Sequence, residues 1–289
     1  MDLLIIYAIE VLNAIAVLIV MSLGLAVVFG MMKIVNMAHG EFMMLGGYSA
    51  ILATNHLGIP IWIAMLVVAP LVVGLFGIVI ERVIIRHLYG RMIDTMLATW
   101  GLSLALIGAA TMIFGNTTLG ISSPLSSVAV GRFSTSGYSL FMIAFALCLL
   151  AALWLLLRFT TLGLCARATM QNARMAAALG TNPGQIYSLT FGLGAALSGL
   201  GGALLAPITG VIPTVGVSFI AKAFITVIGG GSAIIAGTLS ASTLFGVISQ
   251  LVTYISTPVF GAVALLLSAI VLLRLLPQGI TGRFFRRSL

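Results

Sequence analysis

Charge is what this 289-residue chain has least of: 13 Lys and Arg with five Asp and Glu make up 6% of it, against 61% apolar residues. Soluble domains carry about a quarter charged residues, so a water-exposed surface of ordinary composition is excluded. Cysteine is scarce too. Cys148 lies in an apolar run and Cys165 in a basic gap, with neither metal-ligand spacing nor a disulfide framework. No G-x-x-x-x-G-K-S/T is present, and the Gly-rich "GGGSAIIAGT" from Gly229 to Thr238 lacks the Lys that would reach nucleotide phosphates. Histidine is limited to His39, His56 and His87. Intramembrane serine hydrolysis would need a Ser and a His held at depth; Ser103 or Ser198 with His39 could supply them, but no spacing supports it.

What the chain does have is apolar sequence in long runs, with a mean hydropathy of +1.27. A helix needs about 20 apolar residues to span a bilayer. Full-length candidates fall at 11–32, 60–85, 93–114, 139–159, 187–206, 232–254 and 258–275, and two shorter ones at 40–54 and 214–230. The expected fold is an all-α polytopic membrane protein of eight or nine segments, two of them short or broken, in a single domain over 1–289. Asp2 and Glu10 precede the first apolar run where a basic n-region would stand, so no cleavable signal peptide is expected.

The net charge of +8 does not mark a nucleic-acid surface, because the basic residues fall in short gaps between apolar runs. Arg82, Arg86 and Arg91 fill one gap; Arg158, Arg167 and Arg174 another; Arg274, Arg283, Arg286 and Arg287 follow the last span. The polar gap 115–138 holds only Arg132. The positive-inside rule then puts the basic gaps and the C-terminus in the cytoplasm, and 115–138 with the N-terminus outside.

Ionisable residues at membrane depth are functional candidates, because each costs at least about 2.5–3.5 kcal/mol at a helix centre on the insertion scale. Two regions supply them. "KIVNMAHGEFMMLGG" carries His39 and Glu41 ahead of Gly46 and Gly47, with Lys33 marking the end of the first span; "SFIAKAFITVIGGG" carries Lys222 ahead of Gly229 and Gly230. Short, Gly-interrupted segments in two halves of a chain point to a transport pathway, so these seven residues other than Lys33 are the expected pathway or gate. A structural ion pair or snorkelling ends are the competing reading for Glu41 and Lys222. In "FGLGAALSGLGGALLAP", small residues at four-residue spacing (Gly192/Ala196, Ala195/Gly199, Ser198/Gly202) suit close helix packing. The longest basic gap contains "ATMQNARMAAALG", expected to form one helix of about three turns, with Gly180 as its stop and Pro183 just beyond.

The run "MQNARMAAALGTNPGQIYSLTF" resembles the cytoplasmic coupling segment of permease subunits in the branched-chain amino-acid ABC importer family, the shorter permease type. "GLAVVFGMMKIVNMAHGEFMMLGGY", "DTMLATWGLSL" and "FIAKAFITVIGGGSAIIAGT" match the same family in order along nearly the whole chain. Two departures stand out. Arg174-Met175-Ala176-Ala177 occupies the place of the Glu-Ala-Ala start common in importer permeases, and "DTMLATWGLSL" looks more like the urea and short-amide branch, whereas "AKAF" at Lys222 looks like the amino-acid branch. The resemblance implies a permease of an ATP-driven importer of branched-chain or hydrophobic amino acids in a bacterial inner membrane. Its implied partners are a second permease, identical or paralogous, two ATP-binding subunits that use the ATP, and a periplasmic solute-binding protein. This chain itself would bind no cofactor or metal and would not be an enzyme. Coupling would run through 163–186, with Arg167, Gln171, Asn172, Arg174, Ala176, Ala177, Leu179 and Gly180 as contacts. A urea or short-amide importer, an ATP-independent transporter or channel, and a structural scaffold remain the alternatives.

Overall fold

The computed structural model describes residues 2–130, 133–231 and 233–284. Arg132, Arg286 and Arg287 lie outside the described residues. The chain is a series of helices: α1 (Asp2–Met32), α2 (His39–Asn55), α3 (Ile61–Ile63), α4 (Ala69–Val83), α5 (Met92–Phe114), α6 (Gly137–Phe159), α7 (Thr161–Gln171), α8 (Ala173–Ala178), α9 (Pro183–Thr209), α10 (Val215–Gly230), α11 (Ile234–Ile255), α12 (Pro258–Leu275) and α13 (Gly279–Phe284). Among the described residues seven helical stretches are long and apolar enough to cross a membrane, and α10 is a shorter apolar helix. With the 17-residue α2 they reproduce the nine expected segments.

Four local features depart from expectation for physical reasons. First, α1 runs for 31 residues, beginning near Asp2 rather than at 11, because Asp2 and Glu10 interrupt hydropathy but not backbone propagation. Second, Ile61–Val83 is one continuous span that contains a π turn, Ala64–Val68, near its N-terminal end. Pro70 follows at once and cannot donate a backbone hydrogen bond, so the wider turn absorbs the lost i→i−4 rung. Third, Gly46 and Gly47 do not interrupt α2, which is continuous through them. Fourth, the polar gap 115–138 is partly folded: Ser127–Val130 (β1) pairs antiparallel with Phe133–Ser136 (β2), Val128 opposite Thr135.

The side-chain distribution is that of a protein in lipid. On α5 the apolar Ile93, Leu97, Trp100 and Leu104 are exposed, while Thr95, Thr99, Ser103 and Ala110 are buried. On α12 the exposed residues include Val259, Phe260, Val263, Leu267, Ile270 and Val271. A soluble helix would reverse that arrangement.

The residues group into two compact units: Met1–Ser22, Ser123–Ala151 and Lys222–Leu289 form the first, Leu23–Ser122 and Ala152–Ala221 the second. In the first, Leu18, Ala241, Phe245, Leu265, Ala269 and Leu272 make an apolar core. In the second, α9 is buried on nearly every side and small residues set its distance from its neighbours. A Cβ on Gly46 would stand 2.0 Å from the Gly199 carbonyl oxygen, and one on Gly202 would stand 1.7 Å from that of Met43. Gly74 and Gly77 of α4 face Ala196 and Ala195, and Gly24 of α1 faces Gly194. The small-residue pairs expected to pack therefore do so, at backbone contact.

Candidate functional site

The opening stretch folds as a largely buried corner between α1 and α2. Lys33, exposed, leaves α1 in the left-handed region at φ +53°, rare for a residue other than glycine. The next turn is irregular backbone in the protein interior, tolerable only if its polar groups are satisfied there. Asn36 is buried, and its Oδ1 accepts from the Ala38 N–H at 3.0 Å, the local turn bond that Asn favours. Thr99 of α5 accepts from the Met37 N–H at 3.1 Å and its hydroxyl donates to the Thr95 carbonyl at 2.9 Å. Ser103, one turn on, hydrogen-bonds the Glu41 carboxyl, whose Oε2 has no partner. "DTMLATWGLSL" thus has a task that its sequence did not reveal: its buried Thr95-Thr99-Ser103 stripe holds the corner and the Glu41 carboxyl. The signal was there as hydroxyls at four-residue spacing in an apolar helix.

His39 and Ser198 are brought to hydrogen-bond distance, Ser198 Oγ to His39 Nδ1 at 2.9 Å. Both are 1% exposed, and the Ser198 hydroxyl donates to the Gly194 carbonyl at 2.7 Å. The pair is sealed inside helix packing with its serine proton committed, which suits a structural bridge between α2 and α9 rather than a nucleophile. Gly40 approaches Gly216 so closely that a Cβ on it would lie 2.0 Å from the Gly216 carbonyl oxygen.

Lys222 lies in the first unit and lines a cavity of about 370 Å³ with Glu10, Asn13, Ser249, Gln250 and Thr253. Ala14, Val17, Leu18, Pro258, Ala262 and Leu265 supply its apolar wall. Asn13 Oδ1 is buried without a hydrogen-bond partner. Gln250 bonds the Tyr254 hydroxyl, and the Tyr254 ring packs on Tyr7 with centroids 4.3 Å apart. A cation, a carboxylate and amides thus share one cavity with aliphatic side chains. Glu10 was missed in the sequence because it precedes the apolar run that begins at 11, and Asn13, inside that run, because it is not ionisable. Gly229 and Gly230 end α10: a Cβ on Gly229 would meet the Phe245 ring at 2.8 Å, and one on Gly230 the Gly237 carbonyl oxygen at 2.5 Å.

Within the basic segment 163–186, the stretch 168–180 expected to form one three-turn helix is instead divided between α7 and α8. Asn172 breaks it, with φ −155° and ψ 98°, and its side chain caps α8 by accepting from the Met175 N–H at 3.0 Å. At the far end Gly180, φ +90°, bonds the Ala177 carbonyl at 3.0 Å while Thr181 bonds Ala176 at 3.0 Å, a Schellman closure. Gln171, Asn172, Arg174, Ala177, Leu179 and Gly180 are exposed; Ala176 is buried. The Arg167 guanidinium turns back to donate to the Leu157 carbonyl near the end of α6. Met175 and Leu179 are 59% and 80% exposed, an apolar tip that the sequence reading credited only at Leu179. Nearby, a second cavity of about 380 Å³ is lined by Glu81, Arg82, Arg86, Asn182, Gly184, Gln185 and Ser188. Among the described residues no cluster of His, Cys, Asp and Glu could hold a metal ion.

The family model described as branched-chain amino acid transport system, permease component, matches residues 7–276. The chain is similar to the high-affinity branched-chain amino acid transport system permease protein LivH of Escherichia coli, 30% identical over 91% of this chain and 90% of that one. It is similar also to BraD of Pseudomonas aeruginosa, a high-affinity branched-chain amino acid transport system permease protein, at 32% identity over 91% of this chain and 90% of that one. A probable branched-chain amino acid transport permease protein LivH of Methanocaldococcus jannaschii is 28% identical over 92% and 88%. A match of that extent, on a multi-pass helical chain whose corner and small-residue crossings are built from the quoted stretches, is decisive: the chain belongs to the family of permease components of branched-chain amino acid transport systems.

Proposed function

We propose that this permease carries branched-chain amino acids inward across the bacterial inner membrane as part of an ATP-driven importer. A second permease completes the pathway, two ATP-binding subunits hydrolyse the nucleotide, and a periplasmic binding protein delivers the solute. The observation that carries the reading is the cavity shared by Glu10, Asn13 and Lys222 with an aliphatic wall. A zwitterionic amino acid must cross about 30 Å of hydrocarbon, and a wall that offers one group of each sign beside apolar surface suits both its ends and its side chain. A neutral solute such as urea or a short amide would need neither charge. Glu41, held by Ser103 beside the buried corner of the second unit, serves as a gate or wall element; Gly46 and Gly47 set helix distances within that unit, and Gly229 and Gly230 within the first. In this orientation the N-terminus is outside and the basic gaps are cytoplasmic.

Coupling runs through the α7–α8 elbow. Closure of the ATP-binding subunits presses on exposed Gln171, Arg174, Ala177 and Leu179, and the buried Ala176 passes the movement to the packed helices as a switch between two discrete arrangements. The test is reconstitution of the permeases with their ATP-binding subunits and binding protein in liposomes. Leucine uptake should need ATP, ignore ion gradients, and resist a large excess of urea or acetamide. Uptake driven by an ion gradient without ATP, or displaced by urea, would overturn the reading.

A further inference from the structure

The second cavity has no part in the pathway above, yet two of its lining residues carry buried oxygens without a hydrogen-bond partner. It opens between the last turn of α4 and the first turns of α9, both in one unit. Glu81 is fully buried at 0% exposure, Tyr89 donates to its Oε1, and its Oε2 has no partner. The Ser188 hydroxyl, 4% exposed, is likewise without a partner. Arg82 and Arg86 are exposed residues that line the same cavity, and among the described residues the only ion pair is Arg91–Asp94 at 2.5 Å. Asn182 caps α9 at this end by accepting from the Gln185 N–H at 3.3 Å, adding the positive end of a helix dipole.

Buried groups of this kind are almost always hydrogen-bonded. What could satisfy them is narrowed by charge. A bare anion meets the Glu81 carboxylate, and a bare cation must pass two guanidinium groups. A ligand that carries both signs meets neither objection, and about 380 Å³ is enough for a small amino acid.

We propose that this cleft binds an α-amino-acid zwitterion at the cytoplasmic face, its ammonium at Glu81 Oε2 and Ser188 Oγ and its carboxylate between Arg82 and Arg86, so that accumulated amino acid slows its own import. The ammonium brings three donors to two unpartnered acceptors, and the guanidinium groups suit a carboxylate in one or both of its oxygens. The link to transport is positional. Asn182, Gly184 and Gln185 follow directly on the α8 turn, so an occupied cleft would bridge α4 to the start of α9 and hold the coupling elbow in one arrangement. This inference rests on the proposed cytoplasmic orientation and amino-acid cargo.

The experiment uses the full importer in liposomes with ATP inside. Unlabelled leucine is loaded into the lumen at millimolar concentration, and initial uptake of labelled leucine from outside is followed. Wild-type uptake should fall severalfold with internal leucine. Glu81→Gln, which can still accept from Tyr89, should shift the internal concentration needed by about tenfold or more, as should Arg82→Met with Arg86→Met. Uptake into empty vesicles should stay within about twofold of wild type in each variant. Undiminished wild-type uptake in loaded vesicles overturns the proposal. So does loss of uptake into empty vesicles in Glu81→Gln, which would make the cleft a socket for the ATP-binding subunit. Failure of the transport reading is separable: if wild-type vesicles never take up leucine, equilibrium binding of labelled leucine to the purified permease in a Lys222→Met background reads the cleft alone. Binding that Glu81→Gln lowers supports the site, and binding indifferent to Glu81 overturns it.

Discussion

At the residue scale, the positions that decide stability are those with no room. Gly46 and Gly202 sit where an added methyl group would enter backbone oxygen at 2.0 and 1.7 Å. Overpacking a rigid crossing costs about 1–3 kcal/mol or more, whereas Gly101, where an added Cβ would have nothing within 4 Å, offers a control on a lipid-facing helix. Gly46→Ala and Gly202→Ala should lower the melting temperature in detergent and the yield of monodisperse protein, while Gly101→Ala should leave both unchanged or raise them slightly, as expected from a stability gain of about 0.5–1 kcal/mol. A melting temperature for Gly202→Ala equal to wild type would mean the crossing is looser than its geometry. Thr99 offers a polar counterpart. Thr99→Val keeps shape but removes the acceptor for the Met37 N–H, leaving a buried donor unmet at about 1–3 kcal/mol. Ser in the same place should restore most of the loss, since it retains the oxygen; failure of Ser to rescue would assign the effect to the methyl group instead.

At the element scale, long spans were legible in the sequence because their signal is simple: an apolar run near 20 residues bounded by charge. Expected 93–114 is observed as Met92–Phe114 and expected 258–275 as Pro258–Leu275. What was not legible depended on partners distant in sequence. Gly46-Gly47 reads as a break in isolation, but here the pair is the contact of α2 with α9 and Val211, and the helix continues through it. The Asn172 elbow was hidden for the opposite reason, a good helix-forming composition on both sides of one residue that prefers to cap. That elbow carries a prediction. Asn172→Ala removes the cap of α8, about 0.5–2 kcal/mol, and lets α7 and α8 run together. Gly180→Ala forces a side chain into φ +90°. Both variants should fold and reach the membrane, because neither residue is in a core, yet ATP-dependent uptake should fall severalfold and less ATP-binding subunit should copurify. Normal copurification with normal uptake in Asn172→Ala would remove the elbow from the coupling contact.

At the scale of the whole molecule, five acidic residues in 289 cannot be a general solubilising feature, and four of them have a local explanation. Asp94 pairs with Arg91 at a helix start, Glu41 is held by Ser103, Glu81 takes the Tyr89 hydroxyl, and Glu10 shares a cavity with Lys222. Tyr89, beside Glu81 outside the spans, has its hydroxyl pushed well above the ordinary tyrosine range by burial and by that carboxylate, so it stays a donor at any physiological pH. The sequence exposed Glu41 and Lys222 as candidates by rarity alone; it could not show that they belong to different units or that Lys222 lines the same cavity as Glu10. The consequence for transport is specific. If the cavity conducts a zwitterion, either charge is needed while neither holds the fold, since the two line open volume rather than packed core. Lys222→Met and Glu10→Gln should each cut leucine uptake by about tenfold or more, the scale of one lost charged hydrogen bond, with subunit assembly and melting temperature near wild type. The double variant should be little worse than the singles, because the two charges act on one solute. Loss of assembly in either single variant would make the pair structural, and unchanged uptake in both would move the path away from this cavity altogether.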